Sequence, residues 1–95
     1  MPNINRESAI TLARDKIDQL AQTAGDPFEI LPDSTKEIQQ GWVFFFNTAD
    51  FVRTGAPASA LAGNGPILIT REGTVVELPS AIPWEDAVRQ IYPQK

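Results

Sequence analysis

The chain has 95 residues, 42% hydrophobic and 21% charged, with eight Lys and Arg against twelve Asp and Glu for a formal net charge of -4. That length and composition fit one globular domain, 1–95, with a modest core. Cysteine and histidine are both absent, which excludes disulfides, thiol nucleophiles, thiolate or imidazole metal sites and histidine bases.

The charge pattern narrows the partners further. No basic cluster of the kind that displaces counterions from nucleic acid is present. The first twenty residues carry charges throughout, unlike a secretory leader, and no apolar run reaches the ~18–20 residues of a membrane span. The expectation is a cytoplasmic protein with no nucleic-acid or membrane partner, no cofactor and no metal.

In chain order, "NRESAITLARDKIDQLAQTAG" is predicted as a helix. Asn5 or Ser8 suits its N-cap, and Gly25 suits a left-handed C-terminal residue. Ile10, Ala13, Ile17, Leu20, Ala21 and Ala24 share one stripe. Arg14, Asp15 and Asp18 fall on the solvent side, and Leu12 points away from the apolar centre.

Residues 28–31 read as a strand, Pro32-Asp33-Ser34 as a turn or bulge, and residues 35–39 as the strand resumed. Gln40-Gly41 then turns the chain into "WVFFFN". Successive side chains of a strand alternate faces, so Trp42, Phe44 and Phe46 share one side and Val43, Phe45 and Asn47 the other. Both sides are apolar up to Asn47, with Trp42 expected in the core. "TADFVRTGAPASALAGNG" reads as a loop. "PILITREGTVVELP" is a hairpin of strands 67–70 and 74–78 turning at Glu72-Gly73, where Gly supplies positive φ. The closing "SAIPWEDAVRQIYPQK" is a second helix, with Pro83 at its first position and Trp84, Ala87, Val88 and Ile91 on a core-facing stripe.

The order α-β-β-β-β-α specifies an α+β fold, a four-stranded mainly antiparallel sheet with an N-terminal and a C-terminal helix. Two such helices suffice to cover one face. For the face of Val43 and Phe45 two readings stay open. Either the 48–63 segment folds back over it with Phe51, Val52 and Leu61, or part of it is an open apolar patch. The few large apolar residues of that segment favour incomplete cover, with part of the Val43/Phe45 side or the adjoining 50–62 loop open to a partner, or to a second copy in a homodimer.

Catalytic candidates are thin. Asp15 and Asp18 read as a solvated helix face, the serines lack a histidine, and no Ser-x-x-Lys spacing occurs. "GNGP" at 63–66 lacks the Lys-Ser/Thr sequel of a phosphate loop and leads into a strand, not a helix. Asn47, Asp50, Arg53 and Asn64 sit where strands meet loops. Asn47 and Asp50 serve either to hold loop backbone by side-chain hydrogen bonds or, together with Trp42, to form part of a binding surface. The set assigned to partner binding is Trp42, Phe45, Asn47, Asp50, Phe51, Arg53 and Asn64; no catalytic or metal residue is assigned.

Three stretches, "GWVFFFNTADF", "GNGPILITREGTVVEL" and "PSAIPWEDAVRQI", resemble the immunity protein 35 family, also called YrhB-like domains. The likeness covers roughly residues 8–92 and is carried by Gly41, Trp42, Phe44, Gly63, Pro66, Gly73, Ser80 and Pro83. The chain departs from the family pattern at Pro79, where a Gly usually precedes the Ser. The resemblance implies a small bacterial α+β protein that neutralises a cognate toxin by direct binding, without being an enzyme. The acidic charge suits a basic toxin. The alternative is a stand-alone domain with a chaperone-like or small-molecule-binding role.

Overall fold

The computed structural model describes residues 3–61 and 64–93. Its first element is helix α1, Arg6–Ala24. Asn5 caps it through Oδ1, which accepts from Ser8 N at 2.8 Å, and Gly25 closes it in the left-handed region at φ 71. The stripe that α1 buries centres on Ala9, Ala13 and Ile17. Ala24, at the expected end of the stripe, is exposed.

Two long extended stretches follow, each broken once. The first is β1, Phe28–Ile30, then a 3-10 turn at Pro32–Ser34, then β2, Lys36–Ile38. The second is β3, Gly41–Phe44, and β4, Phe46–Thr48, separated by Phe45. They run antiparallel: β2 pairs with β3 (Glu37 opposite Trp42), and β1 pairs with β4 (Ile30 opposite Phe46). Across the break, Leu31 N donates to Phe45 O at 2.8 Å. The hairpin β5, Ile67–Thr70, and β6, Val75–Glu77, completes a four-stranded antiparallel sheet in the order β2-β3-β5-β6. Gly73, at φ 94, serves the turn as expected, with Gly73 N donating to Thr70 O at 2.9 Å.

The expected α+β architecture is therefore present, with strands 28–38 and 41–48 each counted once in the α-β-β-β-β-α order. What differs is the placement of the second helix, α3, Trp84–Ile91. Trp42, Phe44, Phe46, Ile67 and Ile69 pack with Ala9, Ala13 and Ile17 of α1. Val43 and Leu68, on the opposite face, pack with Leu78, Ala87 and Val88. The helices lie on opposite faces. Val43 is 0% exposed and Phe45 is half-buried against Trp84. The expectation of an open Val43/Phe45 face is therefore overturned at Val43 and reduced to a partial exposure at Phe45, and the homodimer argued from that face loses its basis. The reason is that a strand apolar on both sides needs a layer on each, and the only amphipathic element left after α1 is α3.

The 48–63 segment does other work. It contains a helix that the sequence reading missed, α2, Ala49–Thr54, capped by Thr48, whose Oγ1 accepts from Phe51 N at 3.0 Å. Its Leu61 packs on the α1 side of the sheet, away from Val43 and Phe45. Two smaller corrections concern α3: Pro83 stands at the N-cap rather than the first helical position, and Ile91 is 44% exposed, past the core stripe. Gly41 marks the closest approach within the sheet. A Cβ there would stand 2.0 Å from Ile69 O, at a backbone φ of 154.

Candidate functional site

The residues assigned to partner binding divide into three groups. Trp42 is 3% exposed and lies in the core beneath α1. No partner reaches its side chain without unfolding the sheet, which removes it from a contact surface and agrees with its expected core role. Phe45 lies on the other face, half-buried, edge-on to Trp84 with ring centroids 6.2 Å apart and planes at 78°. These two aromatics therefore belong to no common site.

The remaining five cluster around β4, α2 and the loop that follows. Asn47 Oδ1 accepts from Thr48 N at 2.9 Å and from Leu61 N at 2.7 Å. Asn64 Nδ2 donates to Phe46 O at 3.2 Å. Asp50 accepts from the Ser59 hydroxyl, and Arg53 pairs with Glu29 at 2.7 Å. Thr48 Oγ1 donates to Ser59 O at 2.7 Å, a clasp absent from the expected set. Of the two roles left open for Asn47 and Asp50, the Asn47 bonds hold loop backbone, whereas the Asp50 carboxylate meets a side-chain hydroxyl. The ends of Asp50 and Arg53 still meet solvent, and Phe51 is half-buried.

Beside this cluster a cleft of about 560 Å³ opens between the C-terminal end of α1, β4 and the residues after β6. Leu20, Phe28, Phe46, Leu61 and Leu78 give it an apolar floor, and Asn64 and Ser80 stand among its polar lining groups. Only Asn64 of the expected set contributes. Phe28 and Phe46 lie 5.8 Å apart between centroids, so the floor is a packed aromatic pair.

Arg71 escaped the sequence reading altogether. Its guanidinium donates to Glu37 Oε2 at 3.2 Å, to Ile38 O at 2.7 Å and to Gln39 O at 3.3 Å, and it stacks over Trp42. Its backbone N also donates to Gln40 O at 3.0 Å. The β5–β6 turn is thereby fastened to the β2–β3 turn. An Arg inside "ITREGT" carries no sequence signal for that role, since its partners lie over thirty residues away.

Charge distribution completes the surface. Among the described residues four ion pairs form, Lys16–Glu77, Arg53–Glu29, Arg71–Glu37 and Arg89–Asp86. Among the described residues Glu7, Asp15, Asp18, Asp26, Asp33, Asp50, Glu72 and Glu85 remain outside ion pairs, against Arg6, Arg14 and Lys36. Among those residues no three carboxylates gather as metal ligands, and no helix is long and apolar enough to cross a membrane.

The family model described as Immunity protein 35 matches residues 7–91. The chain belongs to the immunity protein 35 family. It is also similar to "Uncharacterized protein YrhB" of Escherichia coli (strain K12), 42% identical over 48 residues, which are 50% of this chain and 51% of that protein. The chain thus spans about half the length of that curated relative. No solved structure matches.

The positions that carry the family likeness are fold-forming. Trp42 and Phe44 fill the α1-side core, Gly41 permits close strand contact, Gly73 turns the hairpin, and Pro83 caps α3. Pro66 O accepts from Leu78 N at 2.9 Å, extending the β5–β6 ladder by one pair. Gly63 lies outside the described residues. The immunity protein 35 pattern therefore defines a scaffold.

Proposed function

We propose that this immunity protein 35 domain acts by binding: it neutralises a cognate bacterial toxin by occupying that protein's surface, and performs no chemistry of its own. The observation that carries the reading is the family match across residues 7–91. The charge balance supports a basic partner, because the carboxylates left outside ion pairs outnumber the free described cations. Opposite fields of that kind raise association rates and reject acidic competitors. The encounter is placed in the cytoplasm. The exposed ends of Asp50 and Arg53, with Phe51 beside them, belong to the proposed contact region.

The test is co-expression of the chain with the product of the adjacent gene. The expected result is a stable complex on co-purification and rescue of growth when that product is toxic. A toxic neighbour whose effect is untouched by the chain overturns the reading.

A second reading has one specific observation in its favour. The 560 Å³ cleft over Leu20, Phe28, Phe46, Leu61 and Leu78 is of a size that holds a small apolar ligand. Thermal-shift screening separates the two, since only a small-molecule role predicts stabilisation by a compound without any protein partner.

A further inference from the structure

The sheet ends in an open strand. β6 is the last strand in the order β2-β3-β5-β6. Thr70 N donates to Thr74 O at 2.9 Å and Leu78 N to Pro66 O at 2.9 Å. Antiparallel ladders alternate, so Thr74, Val76 and Leu78 turn their backbone groups toward β5, while Val75 and Glu77 turn theirs outward. No hydrogen bond from another described residue meets the outward groups. Val75 is 37% exposed.

Alongside that edge runs a groove of about 420 Å³ lined by Leu12, Asp15, Lys16, Gln19, Val75 and Glu77. Leu12, the residue off the helix stripe, supplies apolar surface there with Val75. Glu77 holds Lys16 at 3.1 Å, which leaves Asp15 without a cation.

We propose that the partner adds an extended segment to β6, pairing its backbone with Val75 and Glu77 and seating two side chains in the adjoining groove. Every second residue of such a segment faces the groove. One is apolar, against Leu12 and Val75; the next on that face is basic, against Asp15. The occupant is thus a basic strand of another protein. A second copy of this chain fits poorly, because it brings the same carboxylates to the edge again. The inference rests on the binding function proposed above and adds a contact surface to the Asp50, Phe51 and Arg53 region given there.

The complex of the full chain with the adjacent gene's product supplies the test. Amide exchange at Val75 and Glu77 is expected to slow on complex formation. Val75→Pro removes an outward N–H while sparing the β5 ladder, and is expected to weaken binding by about tenfold or more. Asp15→Lys changes an exposed helix position, keeps the parent melting temperature, and is expected to weaken binding severalfold, most at low salt. Should Val75→Pro fail to fold, the exchange data and Asp15→Lys decide. A complex that forms with both amides exchanging at their free rates overturns the edge proposal and leaves the immunity reading standing. Failure to form any complex overturns both. Concentration-dependent protection of the two amides in the free protein assigns the edge to a second copy, which also overturns it.

Discussion

The guanidinium carbon of Arg71 lies 4.7 Å from the centroid of the Trp42 ring. The same group reaches the carbonyls of Ile38 and Gln39, so a single side chain joins the core's largest aromatic to the rim of the β2–β3 turn. Arg71→Ala is expected to cost about 2–3 kcal/mol from the lost stacking and charge-assisted bonds. Arg71→Lys keeps the charge but loses the planar fork, and is expected to recover less than half of that loss. Urea unfolding of the three proteins checks the ranking. Equal stability of Arg71→Lys and the parent contradicts a geometric role.

Trp42 offers a sharper contrast. Its Nε1 is buried without a hydrogen-bond partner among the described residues. Trp42→Ala empties a core site and is expected to cost about 3–5 kcal/mol. Trp42→Phe deletes the unpaired donor along with part of the ring, so relief of the desolvation penalty offsets lost packing. Its expected cost is about 1 kcal/mol or less. If the two variants melt together, the orphan donor has a partner in solution.

Phe45 and Trp84 couple the sheet to α3. A double-mutant cycle with Phe45→Leu and Trp84→Leu is expected to show about 0.5–1.5 kcal/mol of interaction energy, the range for edge-to-face rings. Sedimentation should show Phe45→Ser to be less stable but unchanged in association state, because α3 covers its face. A change in association without loss of stability runs against that placement.

The clasp at Thr48 is testable by loosening. Thr48→Val keeps the shape but removes the cap on Phe51 N and the bond to Ser59 O. About 1–2 kcal/mol is expected, with faster amide exchange over residues 49–61 while β3 and β5 stay protected. Uniform acceleration across the chain shows instead that the clasp is part of the global cooperative unit.

Much of this fold was legible in the residues themselves. Asn5 or Ser8 and Gly25 bracketed α1, with the folded chain choosing Asn5, and the 67–78 hairpin followed from alternation and one glycine. The alternation of "WVFFF" showed two apolar sides, but the incomplete cover expected for one of them was wrong at Val43. The pattern did not say which element supplied the cover, because an amphipathic helix shows that it has an apolar stripe but not which sheet face receives it. Small residues with Gly55 and Pro57 just beyond masked α2, whose six residues are held by a cap and by tertiary packing rather than by propensity. The site was legible only in type. Asn47 and Asn64 were found at the right junctions, but their bonds to Leu61 N and Phe46 O needed the folded chain. The β6 edge gave no signal, since being last in a sheet is a property of strand order.

Gly41 has a consequence for pairing fidelity. A strand with one polar face resists slipping by one residue, because the slip turns its polar side inward. Residues 42–46 lack that safeguard: either side of the ribbon is oily, and a shifted pairing keeps an apolar set against each helix. The bare backbone at 41 restores discrimination by shape. Where Ile69 O stands 2.0 Å from the place a Cβ takes, a shift of one position presents Trp42 or Gln40, and neither fits. Exclusion at one glycine, rather than polarity along the strand, holds β3 to a single alignment against β5.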